Sequence, residues 1–149
     1  MQERAMRIAE ILHRKGSGIA KIRTVDSVDA AVQKLAEERI GALVVTDRWG
    51  ALAGMFSERD VIRGLARHGA EALPLEVHEL MTPDVTTCAP DDRVDAVMAV
   101  MTAHRVRHLP VMENERLLGI VSMGDLVKQR LIDKEQEANV LLDIARAHV

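Results

Sequence analysis

Hydrophobic residues recur with helical spacing in two well-separated stretches of the chain. In the first stretch, the apolar positions are Val28, Ala31, Val32, Leu35 and Ala36. In the second, they are Val94, Val97, Met98 and Met101. Both sets follow the spacing of an amphipathic helix, and Asp26 or Ser27 can cap the first helix at its N-terminus. Two helices of matching character are therefore predicted.

Each of these helices is followed by two runs of β-forming residues separated by a short turn. The first pair is Ala42 to Thr46 and Ala51 to Phe56, around Asp47-Arg48-Trp49-Gly50. The second pair is His108 to Met112 and Leu117 to Val121, around Glu113-Asn114-Glu115. Such pairs are typical of hairpins, and Asp and Gly suit the first turn. Ile22 and Cys88 occupy matching apolar positions in a strand expected ahead of each helix.

A further helix is predicted after each hairpin. The first begins near Glu58 and runs toward His68, and the second begins near Gly124 and continues into the tail that ends at Val149. Apolar positions of this tail roughly trace one face: Leu126, Val127, Leu131, Ala138, Leu141, Leu142 and Ala145. Either the chain itself or a second copy covers this stripe, and periodicity alone does not decide between them.

The two halves of the chain form an internal repeat. Val28-Asp29-Ala30 returns 66 positions later as Val94-Asp95-Ala96, and Gly54, Ser57 and Asp60 return 65 positions later as Gly119, Ser122 and Asp125. The predicted fold class is α/β (α+β), with two βαββα repeats related by a pseudo-twofold axis and extra helical segments at both ends. We expect one repeat in residues 1–68, a linker in 69–83 and the other repeat in 84–149. Each half is too small to be stable alone.

Composition argues against several classes of function. The net charge is −3, and the chain has no Tyr, one Phe and one Trp, so neither a positive field nor a stacking surface for nucleic acid is expected. No uninterrupted apolar run suggests a signal peptide or a membrane span, which leads us to expect a cytoplasmic protein.

Catalytic and metal chemistry find little support in the sequence. The single Cys88 has no disulfide partner and occupies an apolar strand position. Histidines stand at positions 13, 68, 78, 104, 108 and 148, without the spacing of a zinc site. The glycine-rich Rossmann and P-loop signatures are also absent. We therefore expect neither an enzyme nor a metal protein.

The repeated Gly-x-x-Ser-x-x-Asp motif carries the candidate chemistry. It lies at a strand-to-helix junction, where unpaired helical N–H groups favour a phosphate. Ser57 and Ser122 add hydroxyl groups there, and Asp60 and Asp125 can each accept hydrogen bonds from the two hydroxyls of a ribose. The alternative is that Ser and Asp only cap the helices.

Four stretches of the chain resemble CBS-domain sequence. They are Ile40-Gly41-Ala42-Leu43-Val44-Val45, Gly54-Met55-Phe56-Ser57-Glu58-Arg59-Asp60, Arg107-His108-Leu109-Pro110-Val111 and Gly119-Ile120-Val121-Ser122-Met123-Gly124-Asp125. The resemblance covers about residues 8 to 130 and is to a tandem CBS-domain pair, or Bateman module, of the stand-alone bacterial type. It implies a regulatory sensor of energy or redox state that binds AMP, ADP or ATP, forms a homodimer and acts on a separate, unknown partner.

The resemblance also implies two clefts, each built by both repeats. The Asp60 cleft is expected to contain Ser57, Asp60, Thr82, Asp84, Val85, Thr86, Val106, Arg107 and His108, with Arg59 and Arg63 nearby. The Asp125 cleft is expected to contain Ser122, Asp125, Gly16, Ile19, Ala20, Ile40, Gly41 and Ala42. With this grouping, the basic side chains of Arg107 and His108 make the Asp60 cleft the better phosphate site. The segment His13-Arg14-Lys15-Gly16-Ser17-Gly18 makes the Asp125 cleft the less typical one.

Two alternatives to an AMP, ADP or ATP sensor remain open at this point. NAD(H) and S-adenosylmethionine present the same adenosine to the ribose-binding Asp. A dimeric scaffold with vestigial clefts would use the C-terminal helix as its interaction surface. The retention of both Ser and both Asp residues together with Arg107 and His108 favours a ligand.

Overall fold

A computed structural model describes residues 5–16 and 18–147 of the chain. Three residues named above, Ser17, His148 and Val149, lie outside the described residues, as do the first four residues. Within the described part, the fold contains six α-helices and two small sheets, and it is the predicted α+β arrangement of two repeats.

The first repeat contains a three-stranded sheet. Its elements are β1 (Lys21–Arg23), α2 (Val28–Glu38), β2 (Ala42–Thr46), β3 (Leu52–Ser57) and α3 (Glu58–His68). Strand β2 is central, parallel to β1 and antiparallel to β3. The predicted N-cap of α2 is confirmed for Ser27, whose hydroxyl accepts a hydrogen bond from the Ala30 N–H at 3.0 Å.

The second repeat is less regular at its first strand. Its elements are α5 (Val94–His104), β4 (His108–Glu113), β5 (Arg116–Ser122) and α6 (Met123–Ala147), and β4 and β5 are antiparallel. The expected strand around Cys88 is reduced to a single parallel bridge to Val111. In the first repeat, the Thr24 N–H extends the ladder to the Thr46 carbonyl. Pro90 occupies the matching position and has no N–H to donate, so the strand ends early.

Each repeat includes a helix that comes from outside its own βαββα unit. Helix α1 (Ile8–Lys15) buries Ile8 and Ile11 in the core of the second repeat. The segment expected as a linker forms a 3-10 turn (Gly69–Ala72) and α4 (Val77–Leu80), and Val77 is fully buried in the core of the first repeat. Because of these exchanged helices, the core of each repeat contains residues from outside its own βαββα unit.

The two sheets pack against each other through a small apolar cluster. Its buried members are Ala42, Val44 and Met55 of the first repeat. Partly buried residues from both repeats complete it: Ile19, Leu52, Val85, Leu117 and Ile120. Ile19 and Val85 take equivalent places in this cluster, each a short distance ahead of the first strand position of its repeat.

Helix α6 extends well beyond the body of the protein. Leu126 and Gln129 are its buried residues, and every described residue from Lys134 onward is exposed. The exposed fraction reaches 66% for Leu141 and 65% for Leu131, so the described residues bury Leu126 but leave the later part of the predicted apolar stripe uncovered. Despite its length, α6 is too polar to span a membrane, and the other described helices are too short or too polar as well.

Candidate functional site

Each Ser-x-x-Asp junction lies beside the loop that precedes the first strand of its own hairpin, β2 or β4. His108 pairs with Ser122 in the second hairpin, as Ala42 pairs with Ser57 in the first. The Met123 N–H donates to the Arg107 carbonyl at 2.8 Å, and the Glu58 N–H donates to the Gly41 carbonyl at 3.1 Å. Equivalent junctions therefore lie at the starts of α3 and α6, and the surroundings of each are called the Asp60 cleft and the Asp125 cleft below.

The predicted grouping of residues stays a prediction. Val106, Arg107 and His108, expected in the Asp60 cleft, lead into β4 beside the start of α6, because an antiparallel hairpin brings the start of its first strand beside the end of its second strand. In the same way, Ile40, Gly41 and Ala42, expected in the Asp125 cleft, lead into β2 beside the start of α3. The loop before β4 also reaches the first repeat, since Arg59 donates to the Arg105 carbonyl. This loop therefore borders the starts of both α3 and α6.

The segments that lead into each repeat do cross to the other half of the molecule. Thr82 and Met55 exchange two backbone hydrogen bonds of 2.9 Å, which holds the segment containing Thr82 along the edge of β3. A Cβ atom at Gly54 would lie 2.6 Å from the Thr82 carbonyl oxygen, so only glycine permits this close approach. This close packing explains the glycine at position 54 in the first Gly-x-x-Ser-x-x-Asp motif.

The Asp60 carboxylate is already occupied by protein groups. Only 4% of the residue is exposed. One carboxylate oxygen accepts hydrogen bonds from the Ser57 N–H at 2.9 Å and the Ser57 hydroxyl at 3.2 Å, and the other accepts one from the Thr82 hydroxyl at 3.0 Å. These contacts match the helix-capping alternative. Ribose binding by Asp60 stays a prediction.

Asp125 has a different environment from Asp60. Its side chain is 28% exposed, and a single carboxylate oxygen accepts hydrogen bonds from Lys15 Nζ at 2.7 Å and from the Ser122 N–H at 2.9 Å. Burial by itself raises the pKa of the Asp125 carboxyl, but the hydrogen bonds from Lys15 and Ser122 and the charge of Lys15 outweigh it and lower the pKa. Asp125 is therefore ionised at neutral pH.

Lys15 is the site residue that sequence reasoning missed. It is the last residue of α1, and its ammonium also donates to the Ile120 carbonyl at 3.0 Å. Lys15 immediately precedes Gly16, which the resemblance had placed in the Asp125 cleft. That neighbourhood was a signal, but the contact itself depends on how α1 docks onto the second repeat.

His108 connects the two clefts. Its Cε1 would lie 3.2 Å from a Cβ atom at Gly41, so the imidazole packs against the loop of the first repeat. Burial lowers the pKa of His108 because it disfavours the imidazolium, and the charges of Lys15 and Arg107 lower it further. Asp125 and Glu58 raise the pKa less than these effects lower it. At neutral pH His108 is uncharged and can accept a hydrogen bond.

The other predicted site residues surround these two junctions at varying depth. Ile19 and Val85 pack on the cluster between the sheets, and Ala20 packs on the core of the first repeat. Thr86 is partly buried, whereas Gly16, Asp84 and Arg63 are exposed. Arg59 donates to the Arg105 carbonyl at 3.1 Å, which ties the start of α3 to the second repeat.

Nucleophilic and metal chemistry gain no support from the described residues. Burial and the negative charge of Asp92 raise the pKa of the Cys88 thiol to about 12, so a thiolate is not formed near neutral pH. Within residues 5–16 and 18–147, no three His, Cys, Asp or Glu side chains are grouped as a metal site requires.

Comparison with known proteins agrees with this architecture. The family model described as CBS domain matches residues 8–67 and 77–131. The crystal structure of a CBS-domain containing protein from Agrobacterium tumefaciens is 40% identical, with a TM-score of 0.82 over 87% of this chain and 97% of that one.

Two further relatives are a longer plant protein and a CBS domain pair that was solved in complex with two compounds. The mitochondrial CBS domain-containing protein CBSX3 of Arabidopsis thaliana is 34% identical over 118 residues, which are 76% of this chain but only 57% of the plant protein. The CBS domain pair of protein MJ0100, solved in complex with 5′-methylthioadenosine and S-adenosyl-L-methionine, is 25% identical. Its TM-score is 0.75 over 89% of this chain and 99% of that chain. The chain belongs to the CBS domain family and is a pair of CBS repeats, a regulatory module.

Proposed function

We propose that this protein senses an adenine nucleotide, AMP, ADP or ATP, in the Asp125 cleft and transmits the binding event to a separate partner. The observation that carries the proposal is the partly exposed Asp125 carboxylate at the start of α6, with Lys15, Arg107 and His108 around it. The Asp125 carboxylate can accept hydrogen bonds from hydroxyls, and the two cations, Lys15 and Arg107, can bind phosphate, so the site matches the two ends of a nucleotide.

The ribose contact rests on the unused oxygen of Asp125. Its two hydrogen bonds fall on the same carboxylate oxygen, and the other oxygen accepts none from the part of the chain that the structure describes. Asp60, by contrast, uses both oxygens within the protein. A ribose hydroxyl can therefore reach Asp125 without first breaking a contact of that oxygen.

The phosphate contact rests on the start of α6 and on Arg107. The start of α6 carries the positive end of the helix dipole, although the N–H groups of Met123 and Asp125 are already hydrogen-bonded within the protein. Arg107 is exposed, and its carbonyl is hydrogen-bonded to the first residue of α6, so its side chain begins next to that helix terminus. A charge-assisted bond to phosphate is about twice as strong as a neutral one.

The comparisons support the adenosine part of the ligand. The MJ0100 pair was solved with two adenosine compounds, and its fold is similar to that of this chain. NAD(H) and S-adenosylmethionine also contain adenosine and remain the alternatives to AMP, ADP and ATP. The cations of the Asp125 cleft favour the phosphorylated compounds.

The signal would leave through α6. This helix begins in the cleft at Met123 and ends in an exposed apolar segment containing Val140, Leu141, Leu142 and Ile144, each at least half exposed. We propose that a second copy of the chain covers this segment in a homodimer. A ligand can shift that assembly only if its affinity differs between two arrangements of the repeats.

Calorimetric titration tests the proposal. AMP, ATP, NADH, 5′-methylthioadenosine and S-adenosylmethionine are titrated into the wild type, Asp125→Asn and the exposed control Asp143→Asn. We expect a nucleotide to bind the wild type and the control, with at least about a tenfold loss for Asp125→Asn. Absence of binding by every compound would refute the sensor and leave the dimeric scaffold as the better account.

A further inference from the structure

The two clefts differ in the group that contacts the motif Asp from the other repeat. In the Asp60 cleft, this group is the neutral hydroxyl of Thr82. In the Asp125 cleft, it is the ammonium of Lys15, 2.7 Å from the carboxylate. Among the ion pairs of the described residues, this is the one that reaches a motif Asp. The clefts are therefore chemically distinct although the repeats are equivalent.

Lys15 is held in the cleft by the packing of α1. Ile8 and Ile11 of this helix are buried in the second repeat, and Leu12 fits against Gly119, where a Cβ atom would lie 2.7 Å from Leu12 Cδ2. The Lys15 side chain is still 35% exposed, and its second bond goes to the Ile120 carbonyl. The ammonium is thus placed by a packed helix and remains open to a ligand.

The charges around His108 show what Lys15 does to the cleft. Two cations, Lys15 and Arg107, and two anions, Asp125 and Glu58, act on this histidine. Lys15 therefore supplies one of the two positive charges in this group, and without it Arg107 alone would face two carboxylates.

We propose that Lys15 determines ligand specificity in the Asp125 cleft by selecting adenosine compounds that carry an anionic group, such as a phosphate, over uncharged or sulfonium compounds. The inference rests on the nucleotide-binding function proposed above. Ribose hydroxyls compete with Lys15 for Asp125, and an ammonium that loses part of this contact requires another anion close by. A phosphate supplies it, whereas the neutral side chain of 5′-methylthioadenosine does not, and the sulfonium of S-adenosylmethionine adds a positive charge.

The test compares ligands on matched variants. AMP, adenosine and S-adenosylmethionine are titrated by calorimetry into the wild type, Lys15→Met, Lys15→Gln and Lys15→Arg. The control is Lys128→Met, because Lys128 is an exposed lysine of α6. Thermal melts of every variant establish that it is folded, and Lys15→Gln serves if Lys15→Met is not.

We expect the preference for AMP over adenosine to fall by about tenfold or more in Lys15→Met and Lys15→Gln, because a charge-assisted contact to phosphate is lost. Adenosine affinity should hold or rise, S-adenosylmethionine should gain, and Lys15→Arg and Lys128→Met should keep most of the preference. Equal losses for AMP and adenosine, or an unchanged ratio, would overturn the role of Lys15 while leaving the sensor intact. Failure of all three compounds to bind the wild type would overturn the role of Lys15, and failure of ATP, NADH and 5′-methylthioadenosine as well would overturn the sensor.

Discussion

The Thr82 hydroxyl donates a hydrogen bond of 3.0 Å to the carboxylate of Asp60, and this bond joins the segment that leads into the second repeat to the start of α3 in the first. Asp60 is buried and caps α3 through Ser57 at the same time. The Asp60 carboxylate therefore caps the start of α3 and connects the two halves of the chain. These contacts stabilise the fold independently of any ligand.

Replacement of Asp60 by Ala should destabilise the fold. The Ser57 N–H and the Thr82 hydroxyl would lose their acceptor at a site that water barely reaches, a cost of about 1–3 kcal/mol in the free energy of unfolding. Urea denaturation measures it, with Asp143→Ala on the exposed end of α6 as the control. Unchanged stability together with lost nucleotide affinity would instead favour ribose binding by Asp60.

Replacement of Gly54 by Ala should also lower stability. The new methyl group would lie 2.6 Å from the backbone oxygen of Thr82, so the backbone must move and the two bonds between Thr82 and Met55 must lengthen. We expect a loss of about 1–3 kcal/mol, as for other overpacked positions. Gly18→Ala is the matched control, because a Cβ atom there meets nothing within 4 Å. Similar melting curves for the two variants would contradict the close approach.

Stability should fall on mild acidification through His108. The pKa of His108 is lower in the folded state than in the unfolded state, where it is about 6.5. The contribution of His108 to the free energy of unfolding is therefore complete above the unfolded pKa and is lost as the pH falls from there through the folded pKa. In His108→Gln this part of the pH dependence should disappear. Thermal melts between about pH 5 and 8 compare it with His104→Gln, which changes an exposed histidine at the end of α5. Parallel curves for wild type and His108→Gln would disprove the assignment.

Charge on the apolar face of α6 should weaken self-association. Leu131 and Leu141 lie on this face and are each about two thirds exposed. A double change, Leu131→Glu with Leu141→Glu, should shift sedimentation toward the monomer, because a carboxylate is costly to bury in an apolar interface. Gln136→Glu with Ala147→Glu adds the same charge on the opposite face of the helix. Equal effects of the two pairs would mean that the stripe is not the contact surface.

Local patterns in the sequence were sufficient for most of the secondary structure. The helix predicted from Glu58 toward His68 and the strand predicted from Ala42 to Thr46 are confirmed at both ends. Both depend on short-range periodicity and on residues that begin or end elements, which is information carried by neighbouring positions. The missing first strand of the second repeat also has a local cause in Pro90, one that a closer comparison of the repeats would have indicated.

What the sequence by itself determined was the repeat, its elements and the two Ser-x-x-Asp junctions, because periodicity, turn residues and self-similarity are all properties of neighbouring positions. Only the tertiary structure decided which residues share a cleft. Lys15 and Asp125 are 110 positions apart, and they meet because α1 docks on the second repeat. The contrast between an occupied Asp60 and a partly open Asp125 likewise depends on docking across the two halves, where a single hydroxyl or ammonium decides which carboxylate a ligand can reach.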